Sequence, residues 1–397
     1  MRALFPGAAV LGVAVAVIFT ADEATVEGIA GTYGLVVYGA GLALAWVFHR
    51  SRAFMALGVL GFLDIAVVGR ADRLDLLLPL GTVALGVLAL VSLLRDRGML
   101  SPVGAAQSLA VASLTALGGF FFADAERVAE VAARPDLAPL WAPVPPGVPA
   151  VTAGVAAFAL IAAGWGFLRY RGPIEHALAW AILMVLAAMA PVATPAASAL
   201  LLVGAGLTVA IGVVEASYVM AYRDELTGLP GRRALMQYLD GLNGTYTLAM
   251  VDVDHFKQFN DRHGHDVGDQ VLKLVASRLA GVSGGGKAYR YGGEEFTILF
   301  PGRVKEEARP HLEAIRATIE ASKFSVRSWK RPRKKPEGPP KKKKAKKPKK
   351  RPRKLSVTVS IGLADTSGKA STTEALFKKA DQALYKAKDA GRNQVSG

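Results

Sequence analysis

The chain has 397 residues, 52% of them hydrophobic, and a formal net charge of +16. It contains no cysteine, which excludes disulfides, thiol nucleophiles and thiolate metal sites. The length suits two domains, and the residues divide accordingly: 1–220 is a succession of apolar runs, whereas 224–397 has the pattern of a soluble α/β domain.

About 20 apolar residues cross a bilayer as a helix. Eight runs in residues 1–216 approach that length: 3–20, 27–48, 53–69, 75–94, 101–122, 148–168, 175–191 and 197–216. The third and seventh are short, so seven or six crossings also fit. Charge favours eight with the N-terminus inside: Arg2, Arg50, Arg52, Arg95, Arg97, Arg169, Arg171 and Arg223 then face the cytoplasm. Arg70, Arg73, Arg127 and Arg134 would lie outside, mostly beside Asp or Glu. The first run is read as a retained helix and not a cleaved signal, because Phe19 stands where a small residue is wanted before Ala21. Asp64, Glu175 and His176 are isolated and near the ends of their runs, which argues for sensing or anchoring over transport. The loop 123–147 reads as a connector or a ligand contact, and 217–223 as a short signalling linker.

Beyond residue 224 the predicted elements alternate. They are a helix at 232–242, a buried strand at 246–252, helices at 256–260 and 268–280, and a hairpin over 288–300. A helix at 305–321, a strand pair at 324–327 and 355–362, and a helix at 373–389 stopped by Gly391 complete the order. Such an order suits helices packed on a mixed or antiparallel sheet. In the hairpin, Gly292 and Gly293 leave the main chain open to a phosphate, and Glu294 and Glu295 follow. Asp252 ends the buried strand, and Asp254, two residues on, points the same way. Together they are consistent with a Mg²⁺–triphosphate site; separately, a solvated hairpin and a turn-capping Asp explain them equally.

Six stretches carry more. Asp224-Glu-Leu-Thr-Gly-Leu-Pro, Asp252-Val-Asp-His-Phe-Lys-Gln-Phe-Asn-Asp and His263-Gly-His-Asp-Val-Gly-Asp come first. Arg290-Tyr-Gly-Gly-Glu-Glu-Phe, Val359-Ser-Ile-Gly and the run from Ala380 to Asn393 follow in the same order. Residues 224–397 therefore resemble the GGDEF family of bacterial diguanylate cyclases. The resemblance implies a fold like class III nucleotide cyclases and polymerase palms; it does not reach the multi-pass α-helical membrane domain read from the apolar runs, which matches no motif. It also implies condensation of two GTP into cyclic di-GMP and two pyrophosphates by a homodimer; the even number of crossings places that GGDEF domain on the cytoplasmic side of the bacterial inner membrane. Carried over by position, Asp252, the carbonyl of Val253 and Glu294 hold Mg²⁺ or Mn²⁺. Glu294 accepts the proton, and Glu295, the second catalytic carboxylate, completes the metal environment. Asn260 and Asp269 bind guanine, Asp269 as a buried acceptor that ATP would leave unpaired. Lys257, Lys388 and Arg392 contact the triphosphate, the last two four residues apart on one helix face. Gly292 and Gly293 admit the phosphates. His263 and His265 are not expected to bind metal.

Three departures stand out. Gly231 replaces the family's usual Asn before Arg232. Ser283-Gly-Gly-Gly occupies the place of an Arg-x-x-Asp product-inhibition site, so no such site is expected. Residues 327–354 form a basic insert holding 17 of the chain's 48 Lys and Arg and one of its 32 Asp and Glu, which leaves 31 of each sign elsewhere. Its composition predicts disorder, as a tolerated insertion, a grip on anionic lipid, or a contact with an acidic partner. Trp329 is its one aromatic, so nucleic-acid binding by stacking is not expected.

Overall fold

The computed structural model describes residues 5–68, 76–122, 133–136, 138–141, 143–144, 148–190, 192–325, 354–367 and 372–397. The predicted connector 123–147 lies largely outside them, and the basic insert does so apart from Lys354. The chain divides into two compact units, Met1–Tyr218 and Val219–Gly397.

The first unit is helical. α1 (Phe5–Thr20), α2 (Glu23–Val47), α3 (Ser51–Val68), α4 (Leu77–Leu93) and α5 (Pro102–Phe122) precede a one-turn α6 (Ala138–Trp141) and a two-residue pair, β1 (Pro143–Val144) with β2 (Val148–Pro149). α7 (Ala150–Tyr170), α8 (Pro173–Ala188) and α9 (Pro195–Tyr222) follow. A helix thus stands at each of the eight apolar runs. Four of them, α2, α5, α7 and α9, are long and apolar enough to cross a membrane by length and composition; α1, α4 and α8 are apolar but shorter. Proline opens α8 and α9, where a missing N–H costs nothing. Arg171, left-handed at φ +52°, closes α7. Asp96 accepts from the amide and hydroxyl of Ser51, tying down the start of α3. Glu175 is not isolated, as its sequence neighbourhood suggested: it pairs with the buried Arg52 at 2.6 Å. The same guanidinium donates to the Val91 and Ser92 carbonyls, so all three of its donor nitrogens are used.

The second unit is a five-stranded sheet with helices on both faces. α10 (Arg232–Asp240) leads to β3 (Tyr246–Val253), then α11 (Phe256–His263) and α12 (His265–Leu279). β4 (Lys287–Gly292) and β5 (Glu295–Pro301) form the hairpin, followed by α13 (Lys305–Ala321), β6 (Phe324–Ser325) and β7 (Lys354–Leu355). β8 (Val359–Asp365), α14 (Thr373–Asp389) and β9 (Val395–Ser396) end the chain. The order is β4-β5-β3-β8-β9. β3 runs antiparallel to both neighbours, and β8 runs parallel to β9. Every residue of β3 is buried, as expected of a central strand covered on both faces. Its alternation divides the core. Ala249, Val251 and Val253 pack with Phe256, Val271, Val275 and Leu312 on one face. Tyr246, Leu248 and Met250 pack with Leu235, Leu239, Leu376 and Leu384 on the other. The single strand predicted over 355–362 is two: Lys354–Leu355 pairs with β6 outside the main sheet, and β8 begins at Val359.

Candidate active site

By the period of β3, Asp252 faces the α14 side, and there its Oδ1 meets Lys388 Nζ at 3.0 Å. Pairing registers place Asp252 opposite Glu295 on β5 and opposite Ser360 on β8. The carboxylates of the strand end and the hairpin are therefore neighbours across the sheet, although they are 43 positions apart in the chain. Burial raises Asp252 above the ordinary carboxylate range, against the opposing pull of Lys388. Glu294 and Glu295 are raised by burial first and then by the charge of Asp252. Asp252 thus lifts the proton affinity of both glutamates, and Asp254 lifts that of Asp252, so negative charge is concentrated at this end of the sheet.

Asp254 also faces this side, yet it is occupied. It accepts from Thr358 Oγ1 at 2.7 Å, from Ser360 Oγ at 2.6 Å and from the amide of Asn393 at 3.1 Å. It clamps β3, β8 and the last loop together, leaving Asp252 as the available carboxylate of the pair.

The hairpin is held from behind. Arg290 donates through Nε and Nη2 to the carbonyl of Gly293, at 3.2 and 2.7 Å, and through Nη1 to Asp224 Oδ1 at 2.7 Å. Gly293 is left-handed at φ +48°, a conformation glycine adopts without steric cost. Asp224 also accepts from the amide and hydroxyl of Thr227. Burial acts upward on Asp224, but these bonds outweigh it and hold the carboxyl below its ordinary range. Neither partner was singled out as functional in the sequence. The signal lay in their positions at the head of two matched stretches, and nothing local says that they meet.

Asn260 sits in the last turn of α11, its Oδ1 buried and without a hydrogen-bond partner. The backbone of Gly268 abuts that amide, and Asp269 is next in α12. A buried acceptor-bearing amide left unpaired is an opening for a ligand donor. Asp269 is exposed, not buried as predicted, so any burial of this acceptor must come from the ligand itself. Lys257 is exposed on α11. Arg392 does not share a helix face with Lys388: α14 ends at Asp389, Gly391 turns at φ +108°, and Arg392 lies beyond it at φ +65°. Its charge nonetheless lowers the proton affinity of Asp252.

Among the described residues no group of three or more His, Cys, Asp and Glu side chains could by itself hold a metal ion. The donor chemistry nevertheless fits a hard cation that takes one or two carboxylates and completes its shell from phosphate and water. Asp252, already balanced by one cationic group, and the raised Glu294 are carboxylates whose repulsion such an ion would relieve. His263 packs its ring against Phe259, 4.7 Å between centroids. Ser283, at the start of the glycine loop before β4, bonds to His311 Nδ1 at 2.8 Å.

The C-terminal half of the chain is similar in sequence to known proteins. The family model described as "Diguanylate cyclase, GGDEF domain" matches residues 221–334 and 341–394. The response regulator PleD of Caulobacter vibrioides is 36% identical over 192 residues, which is 46% of this chain and 37% of PleD. The diguanylate cyclase DgcP of Pseudomonas aeruginosa is 38% identical over 185 residues, 44% of this chain and 24% of DgcP. Among solved structures, the coiled coil and GGDEF domain of DgcB from Caulobacter crescentus, in complex with c-di-GMP, is 31% identical. It aligns with a TM-score of 0.38 over 46% of this chain and 88% of that one. The chain spans well under half the length of these two curated relatives, and both matches fall short of half of this chain. Over residues 221–334 and 341–394 the C-terminal half of the chain matches the GGDEF domain family of diguanylate cyclases.

Proposed function

We propose that the protein is a membrane-bound diguanylate cyclase that condenses two GTP into cyclic di-GMP with release of two pyrophosphates. The observation that carries this reading is the grouping of Asp252, Glu294 and Glu295 at the mouth of the hairpin, with Lys388 in ion-pair contact. In each half of a homodimer, Asp252, the Val253 carbonyl and Glu294 would hold Mg²⁺ or Mn²⁺. When bound, the ion offsets charge on the attacked α-phosphate and on the leaving pyrophosphate. Glu294, its proton affinity already raised, takes the proton of the 3′-hydroxyl as that oxygen bonds to the α-phosphorus of the partner's nucleotide. Glu295 supports the charge balance beside it. Lys388, the present counter-charge of Asp252, turns to the triphosphate with Lys257 and Arg392, while Gly292 and Gly293 let the phosphates lie against the main chain. Asn260 and Asp269 read guanine. Its N1–H and N2–H₂ satisfy carboxylate and amide acceptors that adenine would leave unpaired.

Residues 1–216 anchor the enzyme in the bacterial inner membrane through several helices, 217–223 link, and 224–397 work in the cytoplasm. The net charge of +16 in 327–354 suits anionic headgroups, at about 1 kcal/mol per basic residue near the surface. Trypsin is expected to cut this insert more slowly in nanodiscs of anionic lipid than in neutral ones; equal rates would refute the lipid contact. Strong non-competitive inhibition by cyclic di-GMP through the 283–286 surface would refute the absence of a product site there. The activity itself is tested by product analysis of the full-length protein in lipid nanodiscs with GTP and Mg²⁺, against Glu294→Gln.

A further inference from the structure

One buried group in the helical unit is not explained by nucleotide chemistry. Asp64 lies in α3, four residues before its end at Val68, and only 6% of it is exposed. Its Oδ1 is buried without a hydrogen-bond partner. Its Oδ2 presses on the backbone of Gly34 in α2, 2.9 Å from where a Cβ at that glycine would stand, and Val203 of α9 closes the same spot. Ala30, Ala199 and Val203 pack α2 on α9 around it. The ionisable group facing it is Tyr38, one turn on in α2, whose hydroxyl is engaged by the Leu202 carbonyl at 2.7 Å. α1, α4 and α5 contain no ionisable residue, and α9 contains none before Glu215. The charges of α3 and α8, Arg52 and Glu175, are paired with each other near the opposite end of α3. Among the described residues these helices therefore offer Asp64 no cation, and its Oδ1 no donor.

A carboxylate buried in apolar surroundings with no partner is held far more readily as the neutral acid than as the anion. We propose that Asp64 is a proton-binding site: the close α2–α3–α9 packing holds the neutral acid, and loss of the proton forces that packing open. In the eight-crossing topology Asp64 stands about 6 Å, four residues of helix rise, from the outer end of α3. The proton it exchanges then comes from the external side. α9 is the helix that continues to Tyr222, past the start of the second unit, so a change in its packing is passed along the chain. The inference rests on the membrane reading of residues 1–216 and not on the cyclase reading.

The test reads the proton directly. Full-length protein in lipid nanodiscs is titrated with pH by infrared difference spectroscopy, beside Asp64→Asn and Asp64→Leu. Both variants keep the site uncharged and are expected to fold. The wild type should show a protonated-carboxyl carbonyl band that disappears as pH rises and is missing from both variants. Hydrogen exchange around Gly34 and Val203 should rise over the same range in the wild type and stay flat in the variants. No Asp64-dependent band at any pH would overturn the proposal, as would a band that never titrates. A band removed by sodium at constant pH would also overturn it, in favour of a metal-cation site. Failure of the membrane reading is distinguishable, because the chain would then remain in solution without lipid or detergent.

Discussion

The contact between Gly268 and Asn260 gives the sharpest quantitative expectation. A Cβ at residue 268 would lie 2.9 Å from Asn260 Cγ and closer still to Oδ1, and 3.2 Å from Phe256 Cζ. The last is tight but tolerable; the first two are not, so in Gly268→Ala the Asn260 amide must swing away. Overpacking of this kind costs about 1–3 kcal/mol. If that loss falls on the guanine contact, GTP affinity drops about 5- to 150-fold. The assay is calorimetric titration of GTP into wild type, Gly268→Ala, Asn260→Ala and the double variant, with thermal melts as controls. Removing the Asn260 side chain removes the obstacle, so the alanine at 268 should cost almost nothing further in the double variant. Unchanged GTP affinity in Gly268→Ala, or losses that simply add, would refute the argument that this glycine exists to seat the amide.

Other expectations follow from the same geometry. Asp224→Asn should loosen the hairpin and lower kcat with little change in nucleotide affinity, measured by steady-state kinetics beside direct binding. Because the folded carboxyl of Asp224 is depressed, its stabilisation is present above the ordinary Asp range and is lost as pH falls through the lowered value. A melt series should show that loss in the wild type and not in the variant. Asp252, Glu294 and Glu295 behave oppositely. Raised in the folded chain, they bind protons more readily there, so stability attributable to them falls as pH rises from the ordinary carboxylate range through the raised values. Mg²⁺ with a non-hydrolysable GTP analogue should therefore raise the melting temperature more at alkaline than at acidic pH, and an equal rise at both would count against the site. Gly362→Ala should unfold the second unit or cost about 3 kcal/mol by denaturant titration, because its Cβ would stand 2.6 Å from Leu384 Cα, backbone against backbone.

Much of the site was legible because its parts are local. The hairpin residues Gly292 to Glu295 announce themselves by composition, and period two in β3 correctly sends Asp252 and Asp254 to one side. What separates those two aspartates is not local: Asp254 is consumed by Thr358, Ser360 and Asn393, more than a hundred positions away. The Arg290–Asp224 bond escaped for the same reason, spanning 66 positions. Counting four residues from Lys388 to Arg392 implied a shared helix face, but Gly391 ends the helical count between them. The strand predicted across 355–362 failed because β propensity cannot see where pairing partners change. In the helical half, the apolar runs located the helices well. The pairing of Arg52 with Glu175 and the solitary burial of Asp64 are products of packing that hydropathy alone does not contain.

The measurement that bears most directly on the central claim is the product formed from GTP and Mg²⁺ by the full-length protein in nanodiscs, beside Glu294→Gln. The account predicts cyclic di-GMP and pyrophosphate in a one-to-two ratio from the wild type, and retained GTP binding without product from the variant. Equal product from both proteins would contradict the role of Glu294. No product from a wild type that binds GTP, even when its dimer is enforced, would contradict the cyclase itself.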